Sequence, residues 1–191
     1  METAICQNQA KNSGNATTAR ATRSFEAWLS SNVSRGTGGA NGSASAAATD
    51  ASSGNQRALT ETLLKGVLQS MFTNGAEPNM AIAGPHNKQV ISGFTGRSNT
   101  RQNIDSDTVS ASISLYASDF GTLQIVPSNR SRDRSLLLID PEYLKHAFLR
   151  TFQTIDISTI GDAETKMIVA EHGLEVSSEQ AHGIVADLTT S

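Results

Sequence analysis

The chain has 191 residues, with 15 Lys and Arg against 18 Asp and Glu and a formal net charge of -3. This length suffices for one ordinary domain with a buried core, and the lack of a basic excess argues against nucleic-acid binding as the primary activity. Only 37% of the residues are hydrophobic and 5% aromatic, so part of the chain must be poor in core side chains. The single cysteine, Cys6, excludes an intrachain disulfide framework and a cysteine-based zinc site.

The N-terminal 33 residues predict one short element. Residues 1–9 could continue a helix, but no N-cap precedes them. Phe25, Trp28 and Leu29 stand at helical spacing and predict a short helix or turn seated on the body. No secretory signal and no apolar run of membrane-spanning length occurs, so we expect a soluble chain that is made intracellularly and has no membrane partner.

Residues 34–56 contain Ser, Gly, Ala, Asn and Thr with scattered charges and no large apolar side chain. Such a segment cannot bury enough apolar surface to offset the entropy lost when it is ordered. The composition therefore predicts a long flexible loop, and it accounts for the overall shortage of hydrophobic residues.

The clearest helix follows this loop. Apolar residues recur there at steps of three to five and predict one buried face: Leu59, Leu63, Leu64, Val67, Leu68, Met71 and Phe72. Asn74-Gly75 ends the helix, and Pro78 prevents its resumption. Residues 80–83 predict a short strand, and Pro85 suits the first turn of a second helix that carries Val90, Ile91 and Phe94 inward. The order of helix, strand and helix indicates a protein of the α-and-β class.

The second half of the chain predicts strands. From Val109 the apolar period changes to two, with Ile113 and Leu115 expected on the buried face of a β-hairpin that turns at residues 118–121. The continuous apolar run 136–139 is typical of a strand buried on both faces. Long strands follow, joined by a turn at Gly161-Asp162, and residues 184–186 close the sheet.

Four histidines require a test for catalytic or metal-binding chemistry: His86, His146, His172 and His182. No pair has the i, i+4 spacing of a helical zinc motif, and Glu171 and His172 would face opposite sides of a strand. A G-x-S-x-G elbow and a phosphate-binding loop are both missing. We therefore expect no catalytic residue, no cofactor and no metal site. The enzymatic alternative is a small hydrolase or metal-binding enzyme that uses His86 or His172.

An arginine-rich loop offers a candidate contact site. Arg130, Arg132 and Arg134 stand at every second position, which in an extended chain would place three guanidinium groups on one side. The loop could hold an acidic partner or another subunit, although a solvated surface loop is the more common outcome. Arg97 and Arg101 form a weaker candidate of the same kind.

Several phrases occur in an order that resembles the major capsid (major head) proteins of tailed bacteriophages. They are residues 72–78 (FTNGAEP), 83–94 (AGPHNKQVISGF), 116–121 (YASDFG), 138–143 (LIDPEY), 161–164 (GDAE) and 181–188 (AHGIVADL). The resemblance covers most of residues 56–191 and leaves the loop 34–56 unmatched.

The resemblance implies the capsid fold of the Hong Kong ninety-seven type. This is an α+β fold with an axial domain and part of a peripheral domain, in which helices flank a mixed sheet and long strands lie near the C-terminal end. On that map residues 1–33 are the end of the spine helix and a connecting segment, 34–56 the flexible loop, 57–150 an axial-like domain, and 151–191 strands that return to a peripheral-like domain. The chain would be a C-terminal fragment that lacks the N-terminal arm, the extended loop and half of the spine helix.

The resemblance also implies a structural function without catalysis. Such proteins assemble as hexamers and pentamers into an icosahedral shell around double-stranded DNA, which they contact non-specifically, and they can meet scaffold, portal or decoration proteins. The protein would be made in the host bacterial cytoplasm and end in the virion. A minor or decoration protein of the virion is the second alternative. We expect the 191-residue chain alone to be a monomer or a weak small ring, with an apolar strip exposed near residues 167–169.

Overall fold

A six-stranded mixed sheet organises the chain. The computed structural model describes residues 6–94, 114–158, 161–162 and 164–190. The described helices are α1 (Phe25–Trp28), α2 (Glu61–Thr73) and α3 (Pro85–Ser92). The described strands are β1 (Val33–Ser34), β2 (Met80–Ala83), β3 (Leu115–Ser118), β4 (Gly121–Pro127), β5 (Leu136–Ile139), β6 (Leu144–Ile157), β7 (Thr165–Val176) and β8 (Gly183–Val185). The sheet order is β1-β8-β5-β2-β4-β3, and β6 and β7 form a separate two-stranded ribbon.

Both faces of the central sheet are covered, which explains why all four residues of β5 are buried. Successive side chains of a strand point to opposite faces. Leu136 and Leu138 pack with α2 in one apolar cluster, while Leu137 and Ile139 pack with Phe25 in a second. The prediction of a strand buried on both faces is therefore confirmed.

Helix α2 confirms the predicted amphipathic helix, but the expectation that Phe72 lies on its buried face was wrong, because this side chain is 52% exposed near the end of the helix. Leu64, Val67, Leu68 and Met71 are its buried residues. Its first turn is capped by the hydroxyl of Thr60, which accepts from the Leu63 N–H at 3.4 Å, and the chain leaves the helix through Gly75 at a φ of 80°. A Cβ on Gly183 of β8 would lie 2.6 Å from the Met71 sulfur, so the helix packs closely on the sheet.

The hairpin of β3 and β4 forms as predicted, but with the opposite face inward. Leu115 is exposed, whereas Tyr116 packs against the core and donates its hydroxyl to Glu61 at 3.0 Å. The expectation that Leu115 is buried was wrong because the hairpin register places Tyr116 opposite buried Leu123. Val109 and Ile113 lie outside the described residues.

The glycine-rich segment 34–56 has few regular elements but many hydrogen bonds. Ala40 and Thr49 exchange two backbone hydrogen bonds of 2.9 and 2.8 Å. The carboxylate of buried Asp187 accepts from the N–H groups of Gly36 and Ala51 at 3.0 and 2.9 Å. Polar contacts therefore connect this segment to the body without large apolar groups. Its flexibility stays a prediction.

The ribbon of β6 and β7 departs from the sheet after residue 143 and returns before β8. The turn predicted at Gly161-Asp162 lies between its strands, with Gly161 at a φ of 84°. The boundary predicted between residues 150 and 151 falls inside β6, and β8 rejoins the central sheet. The names axial-like and peripheral-like for the two regions stay predictions. None of the helices among the described residues could span a membrane.

Candidate assembly surface

The ribbon exposes an unusual amount of apolar surface. Leu149, Phe152 and Ile168 are 78, 73 and 72% exposed. Four further apolar side chains of the ribbon are also exposed: Phe148, Ile155, Ile157 and Met167. Single exposed apolar residues are normal on a protein surface, but a contiguous group marks an interaction site.

The register of the ribbon distributes these side chains over both of its faces. Ile155 lies opposite Met167, and Ile157, two positions further along, points to the same face. Ile168 lies opposite Thr154 on the other face. The pairing shifts between Phe148 and Arg150, and again between Arg150 and Gln153, as β-bulges do when they bend a strand and re-aim its side chains.

The ribbon contributes little to its own stability. A two-stranded hairpin alone is marginally stable in water because it has no second layer to bury its apolar groups. Two exposed ion pairs link the strands. The Arg150 guanidinium donates to both carboxylate oxygens of Glu171 at 3.0 and 2.8 Å, and Lys166 lies 3.7 Å from the Asp156 carboxylate. Exposed pairs add little to stability. Among the described residues, these apolar side chains are therefore left exposed to solvent.

The ribbon root, which we define as residues 140–144 and 174–182, fixes the ribbon to the body. Leu144, Leu174 and Val176 pack against the second apolar cluster. The Ser177 N–H donates to the Tyr143 carbonyl at 2.9 Å and ties the outgoing and returning chains together. The ribbon is thus anchored at one end and free of the central sheet at the other.

Two of the four histidines meet on the ribbon. The rings of His146 and His172 lie 5.2 Å apart, and Phe148 packs on His146 at 4.1 Å. Among the described residues, no group of three or more His, Cys, Asp or Glu side chains could hold a metal ion. His86 lies on α3, where its backbone N–H donates to Asp133 at 3.2 Å.

The arginine-rich loop does not form the predicted row of guanidinium groups. Turns at residues 129–130 and 133–134 replace the extended chain that the prediction assumed, so its geometric premise was wrong. Arg132 turns inward and forms ion pairs with Glu26, at 2.9 Å, and with Asp50. The acidic groups that Arg132 binds thus belong to its own chain.

The neighbours of Arg132 have separate environments. The Asp133 carboxylate lies at the start of α3, where a Cβ on Gly84 would come within 2.2 Å of it. The Arg134 guanidinium donates to the side-chain oxygen of Gln56, and Arg130 is exposed. Arg97 and Arg101 lie outside the described residues. A contact of Arg130 or Arg134 with another subunit stays a prediction.

The sequence patterns did not identify Glu26, whose buried carboxylate joins α1 to the arginine-rich loop. Glu26 is 2% exposed and pairs with Arg35 at 3.3 Å as well as with Arg132. Burial raises the pKa of the Glu26 carboxyl, while the two arginines act to lower it. The only local signal was a charged residue between the apolar Phe25 and Trp28, a position that faces inward on a short helix.

Comparisons with known proteins identify the family. The family model described as SU10 major capsid protein matches residues 1–189. The chain therefore belongs to the SU10 major capsid protein family. This match confirms the predicted resemblance to phage major capsid proteins and the α+β capsid fold. It also includes the loop 34–56, which the sequence phrases left unmatched.

Two solved structures are similar to this chain. One is the crystal structure of a virus-like particle from Pyrococcus furiosus, at 12% identity and a TM-score of 0.38, with 67% of this chain and 52% of that chain covered. The other is the holo-SrpI encapsulin complex from Synechococcus elongatus PCC 7942, at 14% identity and a TM-score of 0.38, with 64% and 49% covered. The chain thus spans about half the length of each. A comparison with curated proteins gives no match.

Proposed function

We propose that this protein is a structural subunit of the icosahedral head of a tailed bacteriophage, and that it associates with copies of itself to build the shell around double-stranded DNA. Membership of a major capsid family supports this proposal and makes the protein a virion component. The hexamers and pentamers of such a shell would be its principal assemblies. Scaffold, portal or decoration proteins are further candidate partners, and synthesis would take place in the host bacterial cytoplasm.

The observation that carries the proposal is the exposed apolar surface of the ribbon. Phe152 and Ile168 are each more than 70% exposed, and a subunit that remained alone would leave them in water. Burial of apolar side chains contributes about 25 cal/mol for each Å² removed from water. Packing of the ribbon within an assembled shell would remove this exposure on both faces.

The charges of the chain fit a structural function. With a net charge of -3, the protein has no basic excess with which to bind DNA tightly, so contact with packaged DNA would be non-specific. We also propose that the protein has no catalytic activity. The ion pairs of Glu26 with Arg35 and Arg132 join parts of the fold to one another and supply no reactive group.

A substitution on the ribbon tests the proposal. Introduced into the phage genome, Ile168→Asp places a charge where an apolar contact is proposed, and we expect the yield of heads, counted by electron microscopy, to fall at least about tenfold because burial of a charge is unfavourable. Thr62→Asp is the matched control, because Thr62 is also exposed but lies away from the ribbon, in the first turn of α2, where a carboxylate is favourable.

The control should leave the head yield close to that of the wild type. Far-UV circular dichroism of both purified variants should show the same folded chain. Normal head yield from Ile168→Asp would contradict the proposal that the apolar ribbon packs within the shell.

A further inference from the structure

His182 lies where the chain enters and leaves the ribbon. Its side chain is completely buried, and its ring packs edge-on against Phe25 of α1 at 5.0 Å. Its Nδ1 accepts a hydrogen bond of 3.2 Å from the backbone N–H of Asp140, the residue that follows β5. The carbonyl of His182 accepts from the Asn32 side chain at 3.0 Å. One imidazole thus joins the outgoing chain, the returning chain and α1.

We propose that His182 is a pH-sensitive latch, whose neutral imidazole holds the ribbon root closed and whose protonation releases it. The latch would set how firmly the ribbon is held against the body. Its chemistry is independent of the proposed function, whereas its consequence for assembly rests on that function.

The hydrogen bond to Asp140 determines which form of the ring fits the closed root. A neutral imidazole can accept at Nδ1, but a protonated ring carries a proton on both nitrogens and can only donate. Protonation would therefore turn Nδ1 into a donor that faces the Asp140 N–H. Two donors in contact lose the hydrogen bond and leave a buried backbone N–H without its acceptor, which is unfavourable.

The groups around the His182 ring shift its pKa in opposite directions. Burial lowers the pKa of His182, and it outweighs the backbone of Tyr143 and the carboxylates of Asp140 and Glu179, which favour the protonated ring. Both carboxylates also accept hydrogen bonds from backbone N–H groups. The Asp140 Oδ1 accepts from the Glu142 N–H at 3.1 Å, and Glu179 accepts from the N–H groups of Ser30 and Ser31.

The direction of the pH effect follows from these shifts. In an open root the imidazole would be exposed and its pKa close to the ordinary value of about 6.5. Because the open form then binds the proton more tightly than the closed form, the closed root is fully stable above that value and loses stability as the pH falls below it. From about pH 7.5 to about pH 5.5 the opening equilibrium should rise by up to about tenfold.

Hydrogen exchange on the 191-residue chain tests the latch. The amides of the ribbon root, at residues 140, 142–144 and 174–182, would be followed at about pH 7.5 and about pH 5.5, with rates corrected for the intrinsic effect of pH. We expect their protection to fall by about tenfold in the wild type and to change little in His182→Gln. His146→Gln, which removes an exposed histidine of the same ribbon, should retain the full decrease.

Protonation of the His182 ring, followed by NMR on the wild type, gives a second readout that needs no variant. The fall in root protection and the protonation of this ring should share one midpoint. Equal losses of protection in the wild type and in His182→Gln would overturn the proposal. It would also be overturned by unchanged protection in the wild type, or by a midpoint that follows His146 or His172 instead.

Discussion

Glu26 connects three distant parts of the chain through its carboxylate. Its two arginine partners come from positions 35 and 132, and Arg132 also reaches Asp50. The side chains of Glu26 and Arg35 are almost fully buried. A buried ion pair adds little net stability compared with apolar packing, but removal of one partner leaves the other charge buried without compensation.

We therefore predict that Glu26→Gln lowers the free energy of unfolding by about 3 kcal/mol, measured by urea denaturation. Glu171→Gln is the matched control, because it removes a carboxylate from an exposed ion pair with Arg150 and should change stability little. If Glu26→Gln were as stable as the wild type, the cost of burying the carboxylate would equal the gain from its ion pairs.

The element least expected from the sequence is the glycine-rich segment 34–56. Its composition predicts flexibility because large apolar groups are missing. The fold supplies other contacts, since Ala48 exchanges hydrogen bonds with the side chain of Asn8, and Gly42 lies directly on Ala27. These interactions depend on backbone groups and small side chains, so a hydrophobicity pattern gives no sign of them.

Adding a methyl group at a glycine tests whether segment 34–56 is packed against the body or flexible. A Cβ on Gly42 would lie 2.7 Å from the Cα of Ala27, so Gly42→Ala should destabilise the protein by about 1–3 kcal/mol in thermal or urea unfolding. Gly54→Ala is the control, because a Cβ on Gly54 would meet nothing within 4 Å. Equal stability of the two variants would support the flexible loop predicted from composition.

At the scale of the whole molecule, local patterns predicted the elements and long-range pairs determined their arrangement. Helix α2 and strand β5 followed from apolar spacing, because a helix face or a doubly buried strand is encoded within a few neighbouring residues. Arg132 could not be assigned in this way, since its partners lie 106 and 82 positions away.

The candidate surface was predicted only in part. The sequence indicated long strands and an apolar strip near residues 167–169, and Met167 and Ile168 are indeed exposed. The register shifts on either side of Arg150, and the exposure of Leu149 and Phe152, depend on the pairing of two strands. Because a shift of one residue moves every side chain to the other face, alternation alone could not give these positions.

Hydrogen exchange on the ribbon tests most directly whether this protein is a shell subunit that uses β6 and β7 for contact. The exchange of the amides of both strands would be compared between the free chain and heads purified from the phage. We predict that these amides exchange at least about tenfold more slowly in the heads, because packing of the ribbon suppresses its opening. Equal exchange in the two states, with protection appearing on another surface instead, would contradict the account.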